Sequence, residues 1–99
     1  MLHIINKSPL SSDTLDSCLR FAQPGDALLL IEDGVYAATR GNAAETKLAA
    51  ALANLEIYVL APDLEARGMA QSLAEGVKTT DYAGFVELVV KHKNCQSWL

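Results

Sequence analysis

Asp26-Ala27-Leu28-Leu29-Leu30-Ile31-Glu32 is the stretch that decides the fold. Five apolar residues run without interruption between two acids. So short a run, with no polar alternation, reads as a strand buried on both faces. Strands of that kind belong to parallel sheets, whose two faces are both covered by crossover helices. The rest of the sequence should therefore supply further strands and the helices between them.

It does so in both directions. Upstream, Leu2 to Ile5 is short, apolar and partly β-branched, and it ends at Lys7-Ser8-Pro9, a strand followed by a loop. Ser11, Ser12 and Asp13 are N-cap candidates, and Leu15, Cys18, Leu19 and Ala22 then form the i, i+3, i+4, i+7 stripe of an amphipathic helix stopped by Pro24-Gly25. Downstream, Glu32-Asp33-Gly34 reads as a turn, Val35 to Thr39 as a helical turn broken near Gly41, and Ala43 to Leu52 as a helix rich in strong helix formers. Ile57 to Leu60 is a third strand. Pro62 opens a short helix, with Asp63 and Glu65 complementing its dipole, and Gly68 ends it. Val77 to Thr80 reads as a fourth strand. Asp81 is the N-cap of a last helix whose Phe85, Leu88, Val89 and His92 share a face. The tail Cys95 to Leu99 is either a fifth short strand or an ordered tail. The expectation is an α/β chain: a Rossmann-like three-layer α/β/α domain spanning residues 1–99, with a mainly parallel sheet of four to five strands.

Composition narrows the function classes. The 99 residues are 51% hydrophobic, enough for one core, and the net charge of −4 gives no basic footprint for nucleic acid. No apolar run reaches the roughly 18–20 residues that span a bilayer, and MLHIINKSPL is too short and too polar for a signal peptide. Two cysteines, Cys18 and Cys95, make neither a disulfide framework nor a metal-ligand pattern, which fits a cytoplasmic protein with reduced thiols.

Ligands of open α/β sheets bind beyond the carboxyl ends of the strands. The segments there, residues 6–12, 32–36 and 61–64, carry no GxGxxG, P-loop or GxSxG pattern, so no cofactor is expected. Glu32 and Asp33 form an acidic pair suited to proton transfer or to a metal, but no other carboxylate, histidine or cysteine is recruited to them, and the turn itself favours them. A small-molecule site near Asn6, Asp33 and Asp63 is an alternative reading. Cys18 has two readings: a buried inert thiol, since it shares a helical stripe with Leu15 and Leu19, or a sulfur-handling thiol. Cys95 follows Lys91, His92 and Lys93 and also has two readings: a thiol whose pKa that basic setting lowers, or an idle thiol near the C-terminus. His3 reads as a satisfied sheet residue, His92 as a cation at a helix C-terminus, and Trp98 as an aromatic that packs on its own domain or on a neighbour.

Taken together, several segments give the chain a likeness. They are Met1-Leu2-His3, Lys7-Ser8-Pro9, Gly25-Asp26 leading into Leu28-Leu29-Leu30, Glu32 to Ala38 (EDGVYAA), Leu60 to Gly68 (LAPDLEARG), Asp81-Tyr82 with Phe85-Val86, and Trp98-Leu99. In that order and spacing the chain resembles the DsrH/TusB family of sulfur-relay subunits. The resemblance implies partnership with DsrE/TusD-like and DsrF/TusC-like sister subunits in a heterohexamer. It also implies exchange of persulfide sulfur with carriers of the TusA and TusE/DsrC type. The end use would be 2-thiolation of tRNA wobble uridine or oxidation of stored sulfur. It further implies that the principal persulfide cysteine belongs to the DsrE/TusD-like sister. The comparable loop here, Ala61-Pro62-Asp63, has no cysteine. Ser17-Cys18-Leu19 matches a cysteine that such subunits carry in their first helix, so the resemblance makes Cys18 a candidate auxiliary persulfide acceptor. Direct contact with nucleic acid is not expected from the acidic balance.

Overall fold

A computed structural model describes residues 1–98. Leu99, part of the closing motif, lies outside the described residues. Five strands make one parallel sheet: β1 (Leu2–Ile5), β2 (Ala27–Leu30), β3 (Glu56–Leu60), β4 (Lys78–Thr80) and β5 (Cys95–Trp98), in the spatial order β4-β3-β2-β1-β5. Four α-helices accompany them among the described residues: α1 (Thr14–Phe21), α2 (Glu45–Ala51), α3 (Ala61–Ala66) and α4 (Tyr82–Lys91). The three-layer α/β/α expectation holds, and the tail is a strand.

Strand order and handedness together decide which helix covers which face. From β1 to β4 the chain steps steadily one way across the sheet, and right-handed crossovers then place α1, α2 and α3 on one face. α4 carries the chain back past β3, β2 and β1 to β5, so the same handedness puts it on the other face. Packing follows. On the first face Ile5, Leu28, Leu30, Ile57 and Val59 meet Leu15 and Cys18 of α1, Leu48 of α2 and Leu64 of α3. On the second, Leu2, Ile4, Ala27 and Leu29 meet Leu88, with Phe85 beside them. The register pairs Leu28 with His3 and Ile57, and Leu29 with Ile4 and Tyr58, so alternate residues of the central strand feed the two cores.

Two segments depart from the expected outline for local reasons. The acidic turn is already the start of a 3-10 helix, Glu32–Ala38. Its entry is strained, with Glu32 at φ 50°, and Gly34 passes so close to β1 that a Cβ there would collide with the Ile5 carbonyl oxygen. Only glycine permits that approach. The second helix begins at Glu45 and not at Ala43, because Asn42 organises the entry: its Oδ1 accepts from the Ala44 N–H at 2.6 Å while its Nδ2 donates to the Tyr36 carbonyl at 2.9 Å. Asp81 caps α4 as expected, accepting from the Gly84 N–H at 2.8 Å. Among the described residues, no helix is long and apolar enough to cross a membrane.

Candidate functional site

Cys18 lies in the second half of α1 and is fully buried against the first face. Burial pushes its thiol up to about 12, and the nearby Asp26 charge adds to the effect. A thiolate is the nucleophile in sulfur transfer. With that pKa, only about one thiol in 10⁵ is ionised at pH 7. In this packing Cys18 is a small apolar core residue.

Asp26, immediately before β2, gathers a polar cluster. Its Oδ2 accepts from His3 Nε2 and from the Gln23 N–H, both at 2.9 Å, and its Oδ1 takes the Met1 amino group at 2.9 Å. Burial raises the carboxyl, but these three donors outweigh it and hold the pKa down to about 2. On the far side of the same imidazole, Trp98 Nε1 donates to His3 Nδ1 at 3.2 Å. An indole N–H can only donate, so Nδ1 is the acceptor and the ring proton sits on Nε2, facing Asp26. His3 is fully buried with both nitrogens bonded. Phe21 stands edge-on to both His3 and Trp98, at ring distances of 6.0 and 5.8 Å. The cluster ties α1, β1, β2 and β5 together. Trp98 thus packs on its own chain.

The carboxyl ends of the strands form a second cluster. Asp63, in the first turn of α3, accepts from the Glu32 N–H at 2.7 Å and so braces the strained residue. Arg67 binds the Asp33 carboxylate through Nε and Nη2, each at 3.0 Å, and donates to the Asp63 carbonyl at 3.1 Å. The acidic pair therefore separates: the backbone of Glu32 is held by Asp63, and the side chain of Asp33 is held by Arg67. Just beyond β1, on the connection that leads through α1 to β2, Asn6 Oδ1 is buried without a hydrogen-bond partner among the described residues.

Cys95 opens the edge strand β5. It is exposed, and its register with Leu2 places it on the second face. His92 stands at the C-cap of α4, the helix end where its spacing puts it. Burial first, then the Met1 amino group and Lys91, hold its pKa below the ordinary value, and its Nε2 is buried without a partner among the described residues.

Residues 7–95 match the family model described as DsrH like protein. Protein TusB of Pectobacterium parmentieri is 44% identical over 98 residues, covering 99% of this chain and all of the relative. Protein TusB of Escherichia coli O81 is 39% identical over the same span and coverage. The chain belongs to the DsrH/TusB family. Among solved structures, the ychN protein of E. coli superposes with a TM-score of 0.83 at 20% identity over 97% of both chains. A protein of unknown function from Methanobacterium thermoautotrophicum superposes with a TM-score of 0.72 at 14% identity, covering 97% of this chain and 95% of that one. At such identities these two show the shared fold.

For this DsrH/TusB chain the strand ends bring Asp33 and Asp63 together through Arg67, while Cys18 stands apart in the core and Cys95 at the sheet edge. Sequence reading passed over Arg67 and the His3–Asp26–Trp98 cluster. The first had a signal: an arginine four residues after the Asp63 N-terminal carboxylate shares its helix side. The second had none, because pairing Trp98 with His3 requires knowing that β5 lies beside β1.

Proposed function

We propose that the chain is a non-catalytic, docking subunit of a heterohexameric sulfur-relay complex. In it, persulfide sulfur passes between carrier proteins, for 2-thiolation of tRNA wobble uridine or for oxidation of stored sulfur. Its partners would be DsrE/TusD-like and DsrF/TusC-like sisters and carriers of the TusA and TusE/DsrC type, in the cytoplasm. The observation that carries this reading is the full-length family match, with Ala61-Pro62-Asp63 standing where the sister's sulfur-carrying cysteine is expected.

Auxiliary acceptance at Cys18 would run as follows. The Cys18 thiolate attacks the outer sulfur of a carrier persulfide R–S–SH, forming Cys18–S–SH, and R–S⁻ leaves; one sulfur moves and nothing is oxidised overall. The burial of Cys18 supports this step only after α1 opens. The small-molecule alternative gains no support from Asp33 and Asp63, which are engaged by Arg67 and Glu32.

Co-expression with the two sisters tests the main reading: a stable complex of all three is expected, and failure to co-purify would sink it. Incubating that complex with a persulfide donor and weighing each chain tests the auxiliary step. A 32 Da adduct, roughly one sulfur atom, that is lost in Cys18→Ser would establish it.

A further inference from the structure

α4 is apolar on both sides. Phe85 and Leu88 face the sheet. On the outer side Tyr82 is 61% exposed, Val86 62%, Val89 39% and Val90 79%. A surface helix normally keeps one apolar face and a polar one opposite it, yet α4 is apolar on two opposite sides and its own chain covers only one of them. Contiguous exposed apolar stripes of this kind mark interaction surfaces.

The charges of α4 say what fits. At about 100° per residue, Ala83, Val86 and Val90 run down the middle of the outer face. Tyr82 and Val89 line one border, and Glu87 and Lys91, one turn apart, line the other. Neither Glu87 nor Lys91 makes an ion pair among the described residues. We propose that this face docks a second copy of the chain, α4 against α4, antiparallel about a two-fold axis at the level of Val89.

In that register each Glu87 faces the second copy's Lys91, and the reverse. The valines agree with the charges. At a rise of about 1.5 Å per residue, Val86 lies about 4.5 Å on one side of the axis and Val90 about 1.5 Å on the other. The two-fold sets the second copy's Val90 and Val86 into the gaps, so four valines alternate at steps of about 3 Å. A parallel two-fold pairing would instead press the charged border onto Tyr82 and Val89, leaving both charges unpaired. One register satisfies both the ion pairs and the interdigitation, which is the self-complementarity an isologous interface needs. The proposal does not rest on the relay reading.

Sedimentation equilibrium of the full chain tests it. A concentration-dependent dimer is expected. Glu87→Lys or Lys91→Glu alone should raise the dissociation constant at least about tenfold, and the double exchange should restore it to within about threefold, with circular dichroism confirming the fold throughout. Val90→Cys in a Cys95→Ser background should cross-link copy to copy with a short bismaleimide, both alone and in the complex with sister subunits. A chain that stays monomeric up to millimolar concentration overturns the proposal. So does a double exchange no better than the singles, or a Val90→Cys cross-link that forms only to a sister. If the sisters fail to co-purify while the dimer persists, the relay reading falls and the α4 interface stands.

Discussion

The two faces of the sheet differ in how they are closed. The face under α1, α2 and α3 buries a broad cluster that reaches from Leu15 and Cys18 across Leu28 and Leu30 to Val77. The face under α4 buries a much smaller cluster, Leu2, Ile4, Ala27, Leu29 and Leu88, and its flank toward β4 is polar. There Tyr58 donates to Glu56 at 3.1 Å, and Lys78 lies 3.7 Å from the same carboxylate and over the Tyr58 ring. The cause is topological. Three consecutive right-handed steps deliver three helices to one face, and a single long return delivers one helix to the other. One helix about 10 Å across cannot cover five strands at about 4.8 Å spacing. The first face is a finished interior. The second carries its surplus apolar surface on the outside of its only helix, where a neighbour can take it.

The largest effect that would break this comparison comes from the cores themselves. Leu28→Ala, fully buried on the first face, should cost about 3–4 kcal/mol, and Leu88→Ala, 7% exposed on the second, about 2 kcal/mol, read from urea unfolding. A chain of this size has only about 5–10 kcal/mol in total, so the first substitution should leave it marginal. Equal costs would mean that α4 closes its face as fully as three helices close theirs.

Asp26 sharpens the comparison at the place where the first face meets the N-terminal segment. Its carboxyl falls from 3.8 to about 2 on folding. The unfolded chain therefore binds the proton more readily, and stability from this group is full above about pH 4 and lost as pH falls toward 2. The contribution is about 2 kcal/mol. Thermal melts between pH 5 and 2 should show this loss in the native chain and a flatter profile in Asp26→Asn. An unchanged profile would mean that the cluster of His3, Gln23 and the Met1 amino group does not favour the ionised form.

How much of this was legible beforehand follows the range of the interaction. Four of the five strands, the cap at Asp81, the helix start at Pro62 and the stripe that buries Cys18 are local patterns, readable from spacing within a dozen residues, whereas the last segment could be a strand or a tail until β1 is placed beside it. The strained entry at Glu32 is not, because it depends on Gly34 meeting Ile5 across strands. Nor is the clasp of His3, Asp26 and Trp98, whose members stand 23 and 95 positions apart and meet only once β5 has been placed beside β1. The outer stripe of α4 is half legible: spacing puts Val89 on the same face as Phe85 and Leu88, yet it lies at the border, 39% exposed. A helix apolar on two opposite sides gives periodicity little contrast with which to choose a face.

The thiols give a smaller and sharper contrast. Cys18 lies in the finished interior and Cys95 on the open face. With an aromatic disulfide reagent at pH 8, one thiol should react at once and the other at least about 10³-fold more slowly, released by denaturant. Cys95→Ser should remove the fast phase. The raised Cys18 pKa carries the opposite sign to Asp26. The unfolded thiol ionises first, so stability should decline as pH rises from about 9 toward 12, and Cys18→Ala should lessen that decline. Comparable rates for the two thiols would show that α1 opens readily, which is the condition the auxiliary-acceptor reading needs.

The smallest expected effect is on the outside of α4. Val86→Ala and Val90→Ala remove methyl groups that the chain itself leaves more than half exposed. Alanine is also the better helix former, by a few tenths of a kcal/mol per residue. Unfolding of the dilute monomer should therefore change by no more than about 0.5 kcal/mol, in either direction. The same substitutions on an inward face would cost several times that, as Leu88→Ala does. A near-zero effect on stability joined to a measurable loss of self-association places the outer valines in an interface. A large loss of stability in the dilute chain would place them in the core, and the two faces of the sheet would then be closed alike.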